Sequence, residues 1–235
     1  MTEFVKLRNG LFFVIFICMQ NENQLSFKSS MVIIPAIFVG VIWAVYWFEI
    51  QFGFNFNKYG VFPCTLKGLR GVFFMHFIHG DTKHLFNNSI PLLVLLNAVL
   101  YFYREIALKV VIYGALLTGF FTWIIARESY HIGASGIVYL LFSFVFFSGI
   151  LRKHYRLIAL SLMVIFLYGS MIWYVLPIEE GMSWEGHLSG FLVGLFFAFF
   201  YKNRGIVKEE FQFSASEIDS FFDEGGNLIE NPDEN

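Results

Sequence analysis

Three sets of residues in this sequence have the types and spacing that acyl chemistry needs. The first is His131-Ile132-Gly133-Ala134-Ser135-Gly136, in which a serine stands at the entry to an apolar run. Glycines near it leave its hydroxyl and backbone N–H open to a closely approaching ligand. A serine hydroxyl is a poor nucleophile until a neighbouring base takes its proton. The second set offers that base: Gly186-His187-Leu188-Ser189-Gly190 heads another apolar run. Two helices starting at one depth would bring that imidazole beside that hydroxyl. The third set is His84 and Asn88, four apart and therefore on one helix face. Both donate hydrogen bonds. A donor pair at the depth of Ser135, with N–H groups at a helix N-terminus, is what a tetrahedral oxyanion requires.

The elements that must position these groups are read from composition. Of 235 residues, 57% are hydrophobic, 20% aromatic and only 14% charged, whereas a soluble domain carries about 25% charged residues. The charges gather between long apolar runs, which marks a polytopic membrane protein. The formal charge of −2 comes with no basic stripe or stacking motif, so nucleic acid is not an expected partner. Cys18 and Cys64 lack metal-type spacing and read as free thiols. No cofactor or metal is expected.

Six apolar segments are predicted to span the bilayer: Met31–Ile50, Leu85–Tyr103, Val110–Ala126, Ile137–Leu151, Leu157–Leu176 and Leu188–Tyr201. The fourth and sixth reach spanning length only if they begin earlier, at Ala134 and Gly186, which carries Ser135 and His187 into the membrane. Polar side chains at that depth are functional candidates by default. Between the first two segments, a phenylalanine-rich loop from Gln51 to Lys83 is expected to lie in the interface. Arg152, Lys153 and Arg156, then Lys202, Arg204 and Lys208, mark the cytoplasmic side by the positive-inside rule. Both termini are then cytoplasmic, and the segment starts bearing Ser135 and His187 face outside. The predicted organisation is an N-terminal cytoplasmic or interfacial segment (1–30), a membrane domain (31–201) and an acidic tail (202–235). Disorder is the default for that tail; a short helix around Glu217–Phe222 for a cytoplasmic partner is the sharper reading.

Packing signals agree with the chemistry. Gly186, Gly190 and Gly194 form a small-xxx-small ladder on the last segment, which admits close approach of a neighbouring helix. Tyr139 lies one turn beyond Ser135, where its ring could stack on the imidazole and orient it. No aspartate occurs in any span, and Glu185, two residues from His187, points elsewhere on a helix. The pair therefore reads as a dyad. Together, Gly133-Ala134-Ser135-Gly136 with Tyr139, Phe77-Ile78-His79-Gly80 ahead of His84 and Asn88, and Gly186-His187-Leu188-Ser189-Gly190 with Gly194 resemble the rhomboid family of intramembrane serine proteases. The resemblance covers roughly residues 31–201, with the motifs in the family's order.

That resemblance implies an all-α fold, a six-transmembrane-helix bundle with an interfacial first loop and a hydrated cavity open to the outer face. It implies Ser135 as nucleophile, His187 as general base, and an oxyanion hole from His84, Asn88 and the Ser135 N–H. Gly133 would shape the turn, Tyr139 would pack on His187, and His79 would be structural. Leu69-Arg70 departs from the family's usual Trp-Arg. The substrates implied are transmembrane proteins. Aromatic richness and the lack of organelle-type targeting fit a bacterial plasma membrane. Each feature has a plainer counterpart. A serine after glycine in a membrane helix is ordinarily a packing residue. His76 and His79, three apart on one helix face, read as structural hydrogen-bonders rather than zinc ligands. His131 and His154 read as interfacial and unremarkable. Two other classes compete: a catalytically silent relative that binds or escorts membrane proteins, and a transporter, which would need charges deep in its spans.

Overall fold

The computed structural model describes residues 28–167, 173–178 and 181–205. The N-terminal segment and the acidic tail, with its expected helix, lie outside these residues, as does Cys18. Among the described residues the chain is helical, apart from a single antiparallel bridge between Val61 and His131. Six helices exceed ten residues: α1 (Ser30–Phe52), α2 (Thr82–Phe102), α3 (Ala107–Ile125), α4 (Ser135–Leu151), α5 (Tyr155–Leu167) and α6 (Trp184–Phe200). The first three are long and apolar enough to cross a membrane, and the others are shorter apolar helices. At 17 residues each, α4 and α6 reach about 26 Å, near the ~30 Å hydrocarbon core. The chain is an all-α membrane protein.

Local chemistry sets the helix ends. Asp81 opens α2 as an N-cap, its carboxylate accepting from the His84 N–H at 2.8 Å. Gly53, at φ 65°, closes α1 with its N–H on the Glu49 and Ile50 carbonyls. Two differences from the sequence reading bear on the site. Helix α6 begins at Trp184, two residues before Gly186. The fifth apolar run is not one helix to Leu176: α5 is described to Leu167, and Trp173–Val175 forms a 3-10 turn. A continuous apolar run cannot signal a change from α to 3-10 geometry, because both bury the same side chains.

Helix α4 is the centre of the bundle. Gly136 through Val145 are all buried, and α2, α3, α5 and α6 all pack on it. Helix α1 lies outside against α2, tied by the Trp43 indole N–H on Ser89 Oγ at 2.9 Å. Many of its apolar side chains remain uncovered by protein, including Ile33, Ile37, Trp47 and Ile50, as a lipid-facing helix requires. The first loop contains no helix longer than four residues and presents Phe54, Leu66, Phe73 and Phe74 outward, the composition of an interfacial segment. It is pinned to the bundle rather than loose. The Trp123 indole donates to the Thr65 carbonyl at 2.9 Å, and within the loop itself Arg70 donates to the Lys58 carbonyl while lying over the Tyr59 ring.

Candidate active site

Ser135 is the first residue of α4, so its N–H has no acceptor within the helix. The approach to it is held by backbone hydrogen bonds. His131 exchanges bonds with Val61, the Gly133 N–H reaches the Met75 carbonyl at 2.8 Å, and the Ala134 N–H reaches His79 Nε2 at 3.3 Å. Gly133 sits at φ 115°, and a Cβ there would stand 2.6 Å from His84 Cε1. Both the backbone angle and the space demand glycine. The consequence is that the His84 ring lies against the turn leading into Ser135.

His187 comes from the first turn of α6 and is 6% exposed, whereas Ser135 is half-buried and so reachable. The two side chains meet: His187 Nε2 is 2.9 Å from Ser135 Oγ. The other ring nitrogen, Nδ1, lies 2.7 Å from the Tyr174 carbonyl oxygen. A carbonyl only accepts, so Nδ1 carries the proton and Nε2 offers its lone pair to the serine hydroxyl. The Tyr139 ring stacks on the imidazole, with centroids 4.4 Å apart and planes 17° from parallel. Ring position and tautomer are therefore both fixed.

Asn88, one turn beyond His84 on α2, is buried. Its Nδ2 donates to His79 Nε2 at 3.1 Å, the same atom that accepts from Ala134. His79 thereby links the asparagine to the serine loop. It does not share a helix face with His76, because the 3-10 turn ends at Phe77 and Ile78 is extended. His76 turns the other way, its Nε2 on the Ala115 carbonyl at 3.0 Å. Those two histidines are thus separate structural links.

The glycine ladder meets α4 backbone to backbone at two of its three rungs. A Cβ on Gly190 would lie 2.1 Å from the Gly136 oxygen, and one on Gly194 would lie 2.2 Å from the Leu140 oxygen. Gly186 differs: its nearest neighbour would be Ser183 Oγ at 3.0 Å, within its own turn. Glu185 is buried and points away from His187, accepting from the Arg127 N–H at 3.2 Å and pairing with its guanidinium at 3.4 Å.

Two participants were not foreseen. The Tyr174 carbonyl is a backbone group and leaves no mark in sequence. His131, expected at the interface, is 1% exposed. It is buried because Val61 pairs with its backbone and Ser183 with its side chain, both from distant parts of the chain. Its Nε2 lies 3.0 Å from the Arg127 carbonyl and its Nδ1 2.7 Å from Ser183 Oγ. Burial holds its pKa below the ordinary histidine value, against the pull of the Glu185 carboxylate 3.9 Å from Nδ1. With Nε2 protonated against the carbonyl, Nδ1 accepts from the Ser183 hydroxyl.

The Rhomboid domain family matches residues 67–204 of the chain. An uncharacterized protein of Mycobacterium tuberculosis, Rv1337, is 31% identical over 173 residues, covering 69% of this chain and 71% of its own length. A second from Mycobacterium leprae, ML1171, is 32% identical over 143 residues, covering 56% of this chain and 55% of its own.

Proposed function

The chain belongs to the rhomboid family, and from that premise we propose that it is an intramembrane serine protease acting on transmembrane proteins. The observation that carries the proposal is the 2.9 Å hydrogen bond from Ser135 Oγ to a His187 Nε2 whose lone pair is presented by the Tyr174 carbonyl. Ser135 Oγ attacks the scissile carbonyl carbon as its proton passes to Nε2. The oxyanion draws on the Ser135 N–H, the His84 ring and the second amide hydrogen of Asn88. Collapse breaks the C–N bond, and the Nε2 proton leaves with the amine. Water then attacks the acyl-enzyme with His187 again as base, returning the serine hydroxyl.

A regular helix hides its carbonyls, so the substrate must unwind locally, which favours segments rich in weak helix formers such as Gly and Pro. Basic residues at the ends of α4 and α6, namely Arg152, Lys153, Lys202 and Arg204, support a cytoplasmic location for those ends. The site then opens to the outer side, and the mycobacterial relatives agree with a bacterial plasma membrane.

A fluorophosphonate probe should label the wild-type protein and leave Ser135→Ala unlabelled, with cleavage of a tagged single-span substrate lost in parallel. Undiminished cleavage by purified Ser135→Ala would overturn the assignment. A well-folded wild type that never labels would favour the silent, membrane-protein-binding relative. Asn88→Ala should lower kcat about 10²-fold, the scale for one oxyanion donor, with little change in KM. A rise in KM at constant kcat would instead assign Asn88 to substrate binding.

A further inference from the structure

The Ser135–His187 pair has a counterpart four residues earlier on both segments of the site. Ser135 and His187 are 52 residues apart, and His131 and Ser183 are also 52 apart. Each member of the second pair stands four residues before a member of the first, with the residue types exchanged. In one rung a serine on the α4 side donates to a histidine of α6. In the other, a serine on the α6 side donates to a histidine leading into α4. Below them the two segments continue in parallel with the offset shifted by two residues, Gly190 against Gly136 and Gly194 against Leu140.

Ser183 shows what the upper rung displaces. It occupies the N-cap of α6, where a serine hydroxyl ordinarily accepts from an N–H of the first turn, yet it makes no such bond. Its hydroxyl is turned across to His131 instead. Its carbonyl still takes the N–H groups of Gly186 and His187, so the turn carrying His187 is built on this residue. On the other side, the His131 backbone is paired with Val61, and three residues separate it from Ser135. A bond between these two side chains thus fixes the approach of both reacting groups. The Glu185–Arg127 contacts brace the same two segments alongside it.

We infer that the His131–Ser183 hydrogen bond is a positioning clamp that sets the separation of Ser135 and His187. This rests on the protease reading above. Neither residue touches substrate; each acts through the segment it anchors. Ser183 is not a second nucleophile in this reading: it acts only through the turn of α6 that it anchors.

The test uses the full chain in detergent, with the single-span substrate and the fluorophosphonate probe. Ser183→Ala and His131→Ala should each lower kcat and the rate of Ser135 labelling about tenfold to a hundredfold, with KM near wild type. The double variant should fall no further than the worse single, because either change removes the same bond. Ser183→Thr, which keeps the hydroxyl, should recover most of the rate. A merely structural role would lower the melting temperature and leave kcat per folded protein unchanged. If His131→Ala fails to fold, the half-buried Ser183→Ala decides alone. Ser183→Ala at the wild-type rate, additive losses in the double variant, or probe attached to Ser183 in Ser135→Ala would each overturn the clamp. A wild type that neither cleaves nor labels overturns the protease reading, and the clamp with it.

Discussion

Replacing His187 with alanine should lower kcat for cleavage of a single-span substrate by at least about 10³-fold, with far-UV circular dichroism unchanged. The size follows from how completely the site depends on one lone pair. Among the described residues His187 is the base in hydrogen-bond reach of Ser135, and an unassisted hydroxyl attacks an amide very slowly. Nε2 can serve only if Nδ1 holds the proton, and the Tyr174 carbonyl at 2.7 Å enforces that tautomer. A neutral carbonyl stabilises the imidazolium formed during attack less than a carboxylate would, so ring placement has to be maintained by other means. The Tyr139 ring, stacked at 4.4 Å, supplies one of them. Tyr139→Ala should therefore cost about tenfold in kcat, as a misplaced base rather than a missing one. Truncating His187 also leaves the Tyr174 carbonyl without its donor, a loss on the order of 1–3 kcal/mol that should appear as a lower melting temperature. Rates are compared per folded protein for that reason. A His187→Ala protein retaining a tenth of wild-type kcat would rule out this histidine as the base.

How much of this was legible in the sequence depends on whether a feature is carried by local pattern or by distant contact. Helices α1 to α3 were readable because each is a long apolar run bounded by polar residues. The start of α4 at Ser135 was readable because a glycine-rich polar connection gives way to apolar residues there. The Gly190 and Gly194 rungs were also visible, since small residues four apart make a stripe on any helix. What could not be read depends on where remote segments arrive. A histidine in a short polar connection looks solvated, and only the return of Val61 and Ser183 buries His131. The orienting partner of His187 is a main-chain oxygen, which every residue has. Similarly, the change from α5 to the 3-10 turn at Trp173–Val175 falls within one apolar run, and that turn is what delivers Tyr174. The side chains that meet at the candidate site were thus identifiable from type and spacing, whereas the groups that orient them were not.

Gly190→Ala is expected to damage activity more than Gly194→Ala, although both should destabilise the protein to a similar degree. In each case the added methyl meets main-chain atoms that cannot rotate aside: the Gly136 oxygen at 2.1 Å for Gly190, and the Leu140 oxygen at 2.2 Å for Gly194. Ordinary carbon–oxygen contact needs about 3.3 Å or more, so α4 and α6 must part by roughly an ångström at the substituted rung. Overpacking of this kind costs about 1–3 kcal/mol, and thermal unfolding in detergent micelles should register it for both variants. Gly40→Ala on α1, with nothing within 4 Å of the new carbon, serves as the unstrained control. The difference between the two rungs lies in what is adjacent. Gly136 directly follows Ser135, and Gly190 is three residues past His187, so parting the helices there stretches the 2.9 Å Oγ–Nε2 bond itself. A displacement near 1 Å in a reacting pair is worth about 10²-fold in rate. Gly194 is four residues further along α6 and faces Leu140 and Ser143, so strain there can be absorbed by tilting below the site. Gly190→Ala should accordingly lose about 10²-fold in kcat per folded protein, and Gly194→Ala about tenfold or less. Equal losses at the two positions would mean that the helices separate as rigid bodies, and that the lower rungs do not hold the serine and histidine in reach independently.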